Sequence, residues 1–178
     1  MNTRHDLLST KNEPTQTVDW EVIYWEQMPH VYNFFRYRVG DRTLAEDLTA
    51  TTFAKAWRSR DQYSQSLGAV STWLFTIARN VAADYFRKQQ DEYSIDDIQH
   101  LPDNQGLEES VQQQDDFARL STLLATLTPR EHEIVALKYG AELTNRAIAQ
   151  VNGLSESNVG TILHRLIQKL RNQWDQTP

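Results

Sequence analysis

Apolar residues recur with helical period along the last third of the chain. Val159, Ile162, Leu163, Leu166, Ile167, Leu170 and Trp174 fall on one face of one helix. Ser155, ahead of Glu156, Ser157 and Asn158, offers the N-cap oxygen that would start it. Upstream, Thr128-Pro129-Arg130-Glu131 reads as a capping box with proline at the first helical position. It opens a helix through Ile134, Val135 and Leu137 that Gly140 is expected to end. Between them, Ala149, Gly153 and Val159 have the spacing of a helix-turn-helix. A small residue lets the first helix sit close to the second, a glycine takes the left-handed turn, and a branched residue anchors the second helix. That second helix turns Ser157, Asn158, Thr161, His164, Arg165 and Gln168 outward, side chains able to hydrogen-bond base edges or phosphates.

The N-terminal half is also helical by pattern. One helix is expected from about Val18 to Gln27, and a second from Pro29 through Val31, Phe34 and Phe35 to a stop at Gly40. Thr43-Leu44-Ala45-Glu46 reads as another capping box, opening a helix to about Arg60. A loop with Ser64, Ser66 and Gly68 follows, then a helix from about Ser71 to Lys88. On the helix from Leu44, the apolar arc holds Leu44, Ala45, Leu48, Phe53 and Ala56. The opposite side, with Asp47, Ala50, Thr51, Ala54 and Arg58, is smooth and only partly charged, a face that could accept a partner helix. On the last helix Leu74, Ile77, Ala78, Val81 and Tyr85 form the core stripe, while Trp73, Thr76, Asn80, Asp84 and Arg87 share another face.

Charge divides the chain. The net charge is −6, an unfavourable balance for a nucleic-acid binder until it is counted by segment. Residues 20–90 carry nine Lys or Arg against seven Asp or Glu, and residues 128–172 carry six against four. Residues 91–116 hold nine acidic residues and no basic one. This segment includes Pro102 and Gly106 and has no sustained period, so it reads as an acidic flexible linker with at most a short helix near its end. Either it is simply a solvated tether or its carboxylates imitate nucleic-acid phosphates in a partner's basic groove. The expected organisation is a flexible tail over 1–17, a helical domain over 18–90, the linker over 91–116 and a helix-turn-helix domain over 117–178. The fold class is all-α, with two small helical domains.

Trp73 beside Asn80, flanked by Arg79, Arg87 and Lys88, suits a single-stranded nucleic acid. The ring can stack an unpaired base, the amide can read its edge and the cations can neutralise phosphates. The alternative is that Trp73 only caps the core. The absence of cysteine excludes disulfides and cysteine-ligated metals. The five histidines, His5, His30, His100, His132 and His164, lack metal-ligand spacing, and no phosphate loop or nucleophile elbow occurs. No metal, cofactor or enzymatic activity is therefore expected. The polar amino terminus has no signal-peptide core, and no apolar run is long enough for a membrane span. A cytoplasmic protein without membrane insertion is the expectation.

The runs AEDLTATTFAKAW (45–57), STWLFTIARNVAADYFRK (71–88), LTPREHEIVALKYG (127–140) and LSESNVGTILHRLIQKLR (154–171), in this order, resemble a bacterial RNA polymerase sigma factor of the extracytoplasmic-function group. The resemblance extends from about Trp20 to Arg171. It implies a protein that binds core RNA polymerase, directs it to promoters and opens the duplex, with sigma region 2 and sigma region 4 joined by a linker. By matching position, Asp47, Leu48, Ala50, Thr51, Ala54 and Arg58 would contact the clamp helices of the largest polymerase subunit. Trp73 and Asn80, with Tyr63, Thr76, Arg79, Asp84, Arg87 and Lys88, would melt and read the minus-ten strand, and the loop 61–70 would hold a flipped-out base. Arg146, Ser155, Ser157, Asn158, Thr161, His164, Arg165 and Lys169 would read the minus-thirty-five element as duplex. The linker would thread the RNA exit path, and an anti-sigma protein would be a further partner.

The sequence departs from the family pattern at three places. Ala50 and Thr51 stand where glutamine and glutamate are frequent, and Leu163 where a basic residue is frequent. Leu163 lies on the apolar stripe and is expected to pack. Two other readings share features with this one. A response-regulator-like factor would have the same terminal motif, but no alternating strand pattern precedes Thr128. A sigma-like regulator that binds polymerase without initiating would share everything but the initiating activity.

Overall fold

Asp19 starts the first helix, its carboxylate accepting the backbone N–H groups of Glu21 at 3.1 Å and Val22 at 3.2 Å. The structure, a computed structural model, describes residues 18–93 and 111–176. The expected tail over 1–17 and the stretch of the expected linker with Pro102 and Gly106 lie outside the described residues. Helix α1 spans Trp20–Val39 without a break. The sequence pattern places a boundary at Pro29, yet the helix runs through it. A proline inside a helix costs roughly 3 kcal/mol, and here the complete burial of Val31, Phe34 and Phe35 beyond it outweighs that local cost. Gly40 ends α1 in the left-handed region at φ 74°.

Helix α2 covers Arg42–Arg58. Its cap is Asp41, which accepts the Leu44 N–H at 2.6 Å, and not Thr43 as the capping-box pattern suggests. The left-handed Gly40 delivers an extended residue at 41, so the aspartate reaches the free N–H groups first, and Glu46 pairs instead with Arg42 at 3.6 Å. Two short 3₁₀ turns, Arg60–Gln62 and Gln65–Leu67, lead into α3, Val70–Tyr93. Thus α3 continues past Lys88 into the segment expected as linker, and α4, Val111–Leu124, likewise begins within it. Helix α5, Pro129–Val135, passes into a π-helical turn at Ala136–Gly140; α6, Asn145–Asn152, and α7, Glu156–Gln176, complete the chain. No strand occurs among the described residues.

Helices α1, α2 and α3 form one lobe around Phe34, Phe35, Leu74, Phe75 and Val81. Thr52 is wholly enclosed there, its hydroxyl donating to the Leu48 carbonyl at 2.8 Å. Helices α4 to α7 form the second lobe. The α7 stripe serves two clusters: Val159 and Leu163 join the main core, while Leu166 and Leu170 pack with Leu123, Leu124, Leu127 and Val135.

The two lobes share that main core, an arrangement the sequence did not announce. Gly140 explains the contact. Its φ is not positive, and the left-handed residue of the turn is Glu142 at φ 57°. A Cβ at position 140 would lie 2.8 Å from the Asn33 carbonyl oxygen and 3.1 Å from the Phe34 Cα. The helical run does end at Gly140 as expected, but without a left-handed glycine, and the same residue is the point where α1 and the π turn meet backbone to backbone. Gly140→Ala should therefore part the lobes at a cost of about 1–3 kcal/mol. Small-angle scattering should show a larger radius of gyration with helical content retained; an unchanged radius would mean the contact yields elsewhere.

Candidate nucleic-acid interface

The helix-turn-helix is built by three local devices. The Thr144 hydroxyl accepts the Ala147 N–H at 3.1 Å to start α6, and Gly153, at φ 63°, ends it with its N–H on the Ala149 carbonyl. The Ser155 hydroxyl then accepts the Asn158 N–H at 3.2 Å to open α7. Ala149 and Val159 are buried between the helices as the motif requires, and Leu163 is buried beside them. Arg146, Ser155, Ser157, Asn158, Thr161, His164, Arg165 and Lys169 are all exposed. The capping box at α5 is complete: Thr128 accepts the Glu131 N–H at 3.3 Å, and the Glu131 carboxylate accepts the Thr128 N–H at 3.0 Å. That second bond, helped by the nearby Lys169 and Arg165, keeps the Glu131 carboxyl below its ordinary pKa.

On α3, Thr76, Asn80, Arg87 and Lys88 are exposed on one side. Trp73 is half-buried and belongs to an aromatic cluster, with ring centroids 5.7 Å from Trp20 and 5.4 Å from Tyr63. Tyr63 donates its hydroxyl to the Gly68 carbonyl at 3.2 Å, which ties the loop across its own turn. Asp84 accepts from Lys55 at 3.2 Å and Arg87 at 2.9 Å, and these partners, Lys55 first, lower its pKa. Trp20 was not among the residues singled out from sequence. Its only signal was an aromatic residue at the start of a helix.

Two family models match this chain: sigma-70 region 2 over residues 24–92 and sigma-70 region 4 over residues 123–172. The chain belongs to the sigma-70 family of RNA polymerase sigma factors. Its relatives place it in the extracytoplasmic-function group. It is 32% identical over 151 residues to the ECF RNA polymerase sigma factor SigM of Bacillus subtilis, covering 84% of this chain and 91% of that one. It is 30% identical to the ECF RNA polymerase sigma factor BldN of Streptomyces coelicolor, where the match covers 83% of this chain but 57% of the relative. The fold is similar to that of the sigma factor RpoE from Bartonella quintana, solved in complex with the anti-sigma factor NepR. That likeness has a TM-score of 0.72 at 22% identity, covering 88% of this chain and 97% of that one. It is also similar to CnrH, solved with the cytosolic domain of CnrY, with a TM-score of 0.64 at 19% identity over 89% of this chain and 87% of that one.

In this sigma factor the outer face of α2 brings together Asp47, Ala50, Thr51, Ala54 and Arg58, all exposed. Leu48 turns inward with 8% of its surface left, since its position repeats that of Ala45 and Thr52 on the core side. Beyond this face, Trp25 and Trp57 are 62% and 57% exposed, with Tyr24 and Val22 nearby on α1. The Arg60 guanidinium covers one side of the Trp57 ring at 4.2 Å. The sequence carried a signal for this exposure, since helical period sets Trp57 beside Ala50 and Ala54 and sets Trp25 off the stripe of Val31, Phe34 and Phe35.

The seam between the lobes engages one of the expected minus-ten residues. Arg79 donates to Glu133 of α5 at 2.7 Å. Beside it the buried Arg38 donates to the Pro129 carbonyl at 3.2 Å, and His132 donates from Nε2 to the Tyr37 carbonyl at 2.5 Å. Burial, reinforced by the Arg38 charge and opposed by the bond to Tyr37, lowers the His132 pKa, so the ring is held neutral. A depressed histidine pKa means the unfolded chain binds the proton more readily. Stability from this group is therefore complete above the unfolded pKa of about 6.5 and is lost as pH falls through the lower folded value. Thermal melts should show the wild type losing stability over this acid range more steeply than His132→Gln, which keeps an N–H donor without a titrating ring. Parallel curves would remove His132 as the cause.

Proposed function

We propose that this sigma factor binds core RNA polymerase through the outer face of α2, reads the minus-thirty-five duplex with α7 and opens the minus-ten element with α3. In this reading sigma region 2 corresponds to residues 18–90 and sigma region 4 to residues 117–178, with the acidic segment 91–116 tracking the RNA exit path. The observation that carries the proposal is the α7 surface. Eight polar or basic candidates are exposed around a helix-turn-helix whose capping bonds fix the helix orientation. Asn158 and Arg165 suit base edges, and Lys169 and Arg146 suit phosphates.

Region 2 fits the strand-reading role through Asn80, Thr76, Arg87 and Lys88. Trp73 would offer a base only the part of its ring that Trp20 and Tyr63 leave uncovered. Unpairing a base costs a few kcal/mol, a cost that stacking and edge contacts must offset. Arg79 must leave Glu133 before it can meet DNA, so separation of the lobes is part of promoter binding. Neither lobe is strongly basic, and weak, salt-sensitive contacts become useful once polymerase fixes their spacing.

The role is non-catalytic and cytoplasmic in this proposal, and an anti-sigma protein is a fitting partner. Among the described residues no helix is long and apolar enough to cross a membrane. Run-off transcription with core polymerase tests the function: initiation at a defined promoter is expected, and inhibition alone would favour a polymerase-binding regulator. Arg165→Ala should lower promoter-dependent output about tenfold, the loss of one good base or phosphate contact, with core binding unchanged in a pull-down. Full output from that variant would remove Arg165 from the reading surface.

A further inference from the structure

Between the lobes lies a cleft of about 710 Å³, lined by Arg38, Arg79, Arg130, His132, Glu133 and Phe86 among others. Three guanidiniums face one carboxylate there. Glu133 is already paired with Arg79 at 2.7 Å, so two positive charges remain without a matched partner among the lining residues. Arg38 is the more telling of the two. Its side chain is enclosed, with 8% of its surface left, and its Nε is closed off from solvent with no hydrogen-bond acceptor. Its compensation consists of the Pro129 carbonyl and the Phe86 ring, whose centroid lies 4.8 Å from the guanidinium carbon. Buried charges in folded proteins are paired, because an unmatched one is costly to desolvate. Desolvation does depress the Arg38 pKa here, with Glu133 opposing the shift and Arg79 reinforcing it.

We propose that this cleft binds a small anion carrying a pyrophosphate-type group, held by Arg38 from α1, Arg79 from α3 and Arg130 from the start of α5. Guanidiniums suit phosphate oxygens because their planar donor fork meets two at once. An excess of two positive charges matches a multiply charged group better than a monoanion. The cleft is within the size range of small-molecule sites, about 300–1,000 Å³, and its apolar wall of Ala83, Phe86 and Leu127 leaves room for an organic body beside the charged end. Because the ligating arginines come from both lobes, an occupant would join region 2 to region 4. Arg130 also borders Asn158 and Arg165 of the α7 reading face, and Arg79 belongs to the proposed minus-ten surface, but anion binding in the cleft is measured without any promoter.

Calorimetric titration of the full chain with inorganic pyrophosphate tests it, with ionic strength held constant by sodium chloride. Saturable binding is expected in the wild type, weakened about tenfold or more by Arg38→Gln and by Arg130→Ala, as the loss of one charge-assisted contact implies. Arg130 is exposed, so its variant remains informative should Arg38→Gln not fold. In the wild type, NMR titration of the His132 ring should move upward when pyrophosphate is bound. No saturable binding, equal binding by wild type and Arg130→Ala, or a response that sodium chloride reproduces would each overturn the proposal. So would Arg130-dependent binding of a short single-stranded oligonucleotide but not of pyrophosphate, which would make the cleft a track for nucleic-acid backbone.

Discussion

The Asn33 carbonyl stands 2.8 Å from where a Cβ on residue 140 would be, and this one close approach determines how the rest of the molecule is arranged. Small domains have little interior for their surface, so each lobe gains by merging its core with the other. Because residue 140 has no side chain, Phe34 and Leu137 can belong to the same cluster, and α6 can bring Ile148 and Ala149 into it. The wide π turn at Ala136–Gly140 and the left-handed Glu142 follow from fitting the chain around this contact. Both are local costs that the shared burial offsets.

The same contact gives the seam its electrostatics. Once the backbones are this close, Arg38 has lost its water, His132 is held neutral and Arg79 is drawn to Glu133. These groups contribute to holding the lobes together, and Arg79 is also a candidate for DNA. The residues that stabilise the closed arrangement therefore compete with those that would use it on a promoter. By contrast, the α7 face takes no part in the seam and stays available.

Much of the fold was legible because helical structure is specified by signals close in sequence. The Thr128 capping box, the Ser155 cap, the Gly153 turn and the stripe from Val159 to Leu170 each involve residues within a few positions of one another, and each formed as read. The local readings failed where a distant contact outweighed them. Pro29 did not divide α1 because Val31, Phe34 and Phe35 are buried by other helices, and Asp41 displaced Thr43 as cap because of the turn at Gly40. The candidate site followed the same rule. Exposure on α7 could be read from period, whereas the packing of Trp73 against Trp20 joins helices far apart in the chain.

Taken alone, the sequence determined the all-helical class and most helix starts, the helix-turn-helix with its outward polar face, the segregation of acidic charge and the family resemblance. All of these are carried by residue type and short spacing. Only the tertiary structure decided that the lobes share a core, that Gly140 is an interlobe contact as well as a helix end, that Arg79 is paired, and that a basic cleft lies between α1, α3 and α5. Those facts depend on which backbones approach within van der Waals distance. Periodicity in one helix carries no record of the helix it will meet.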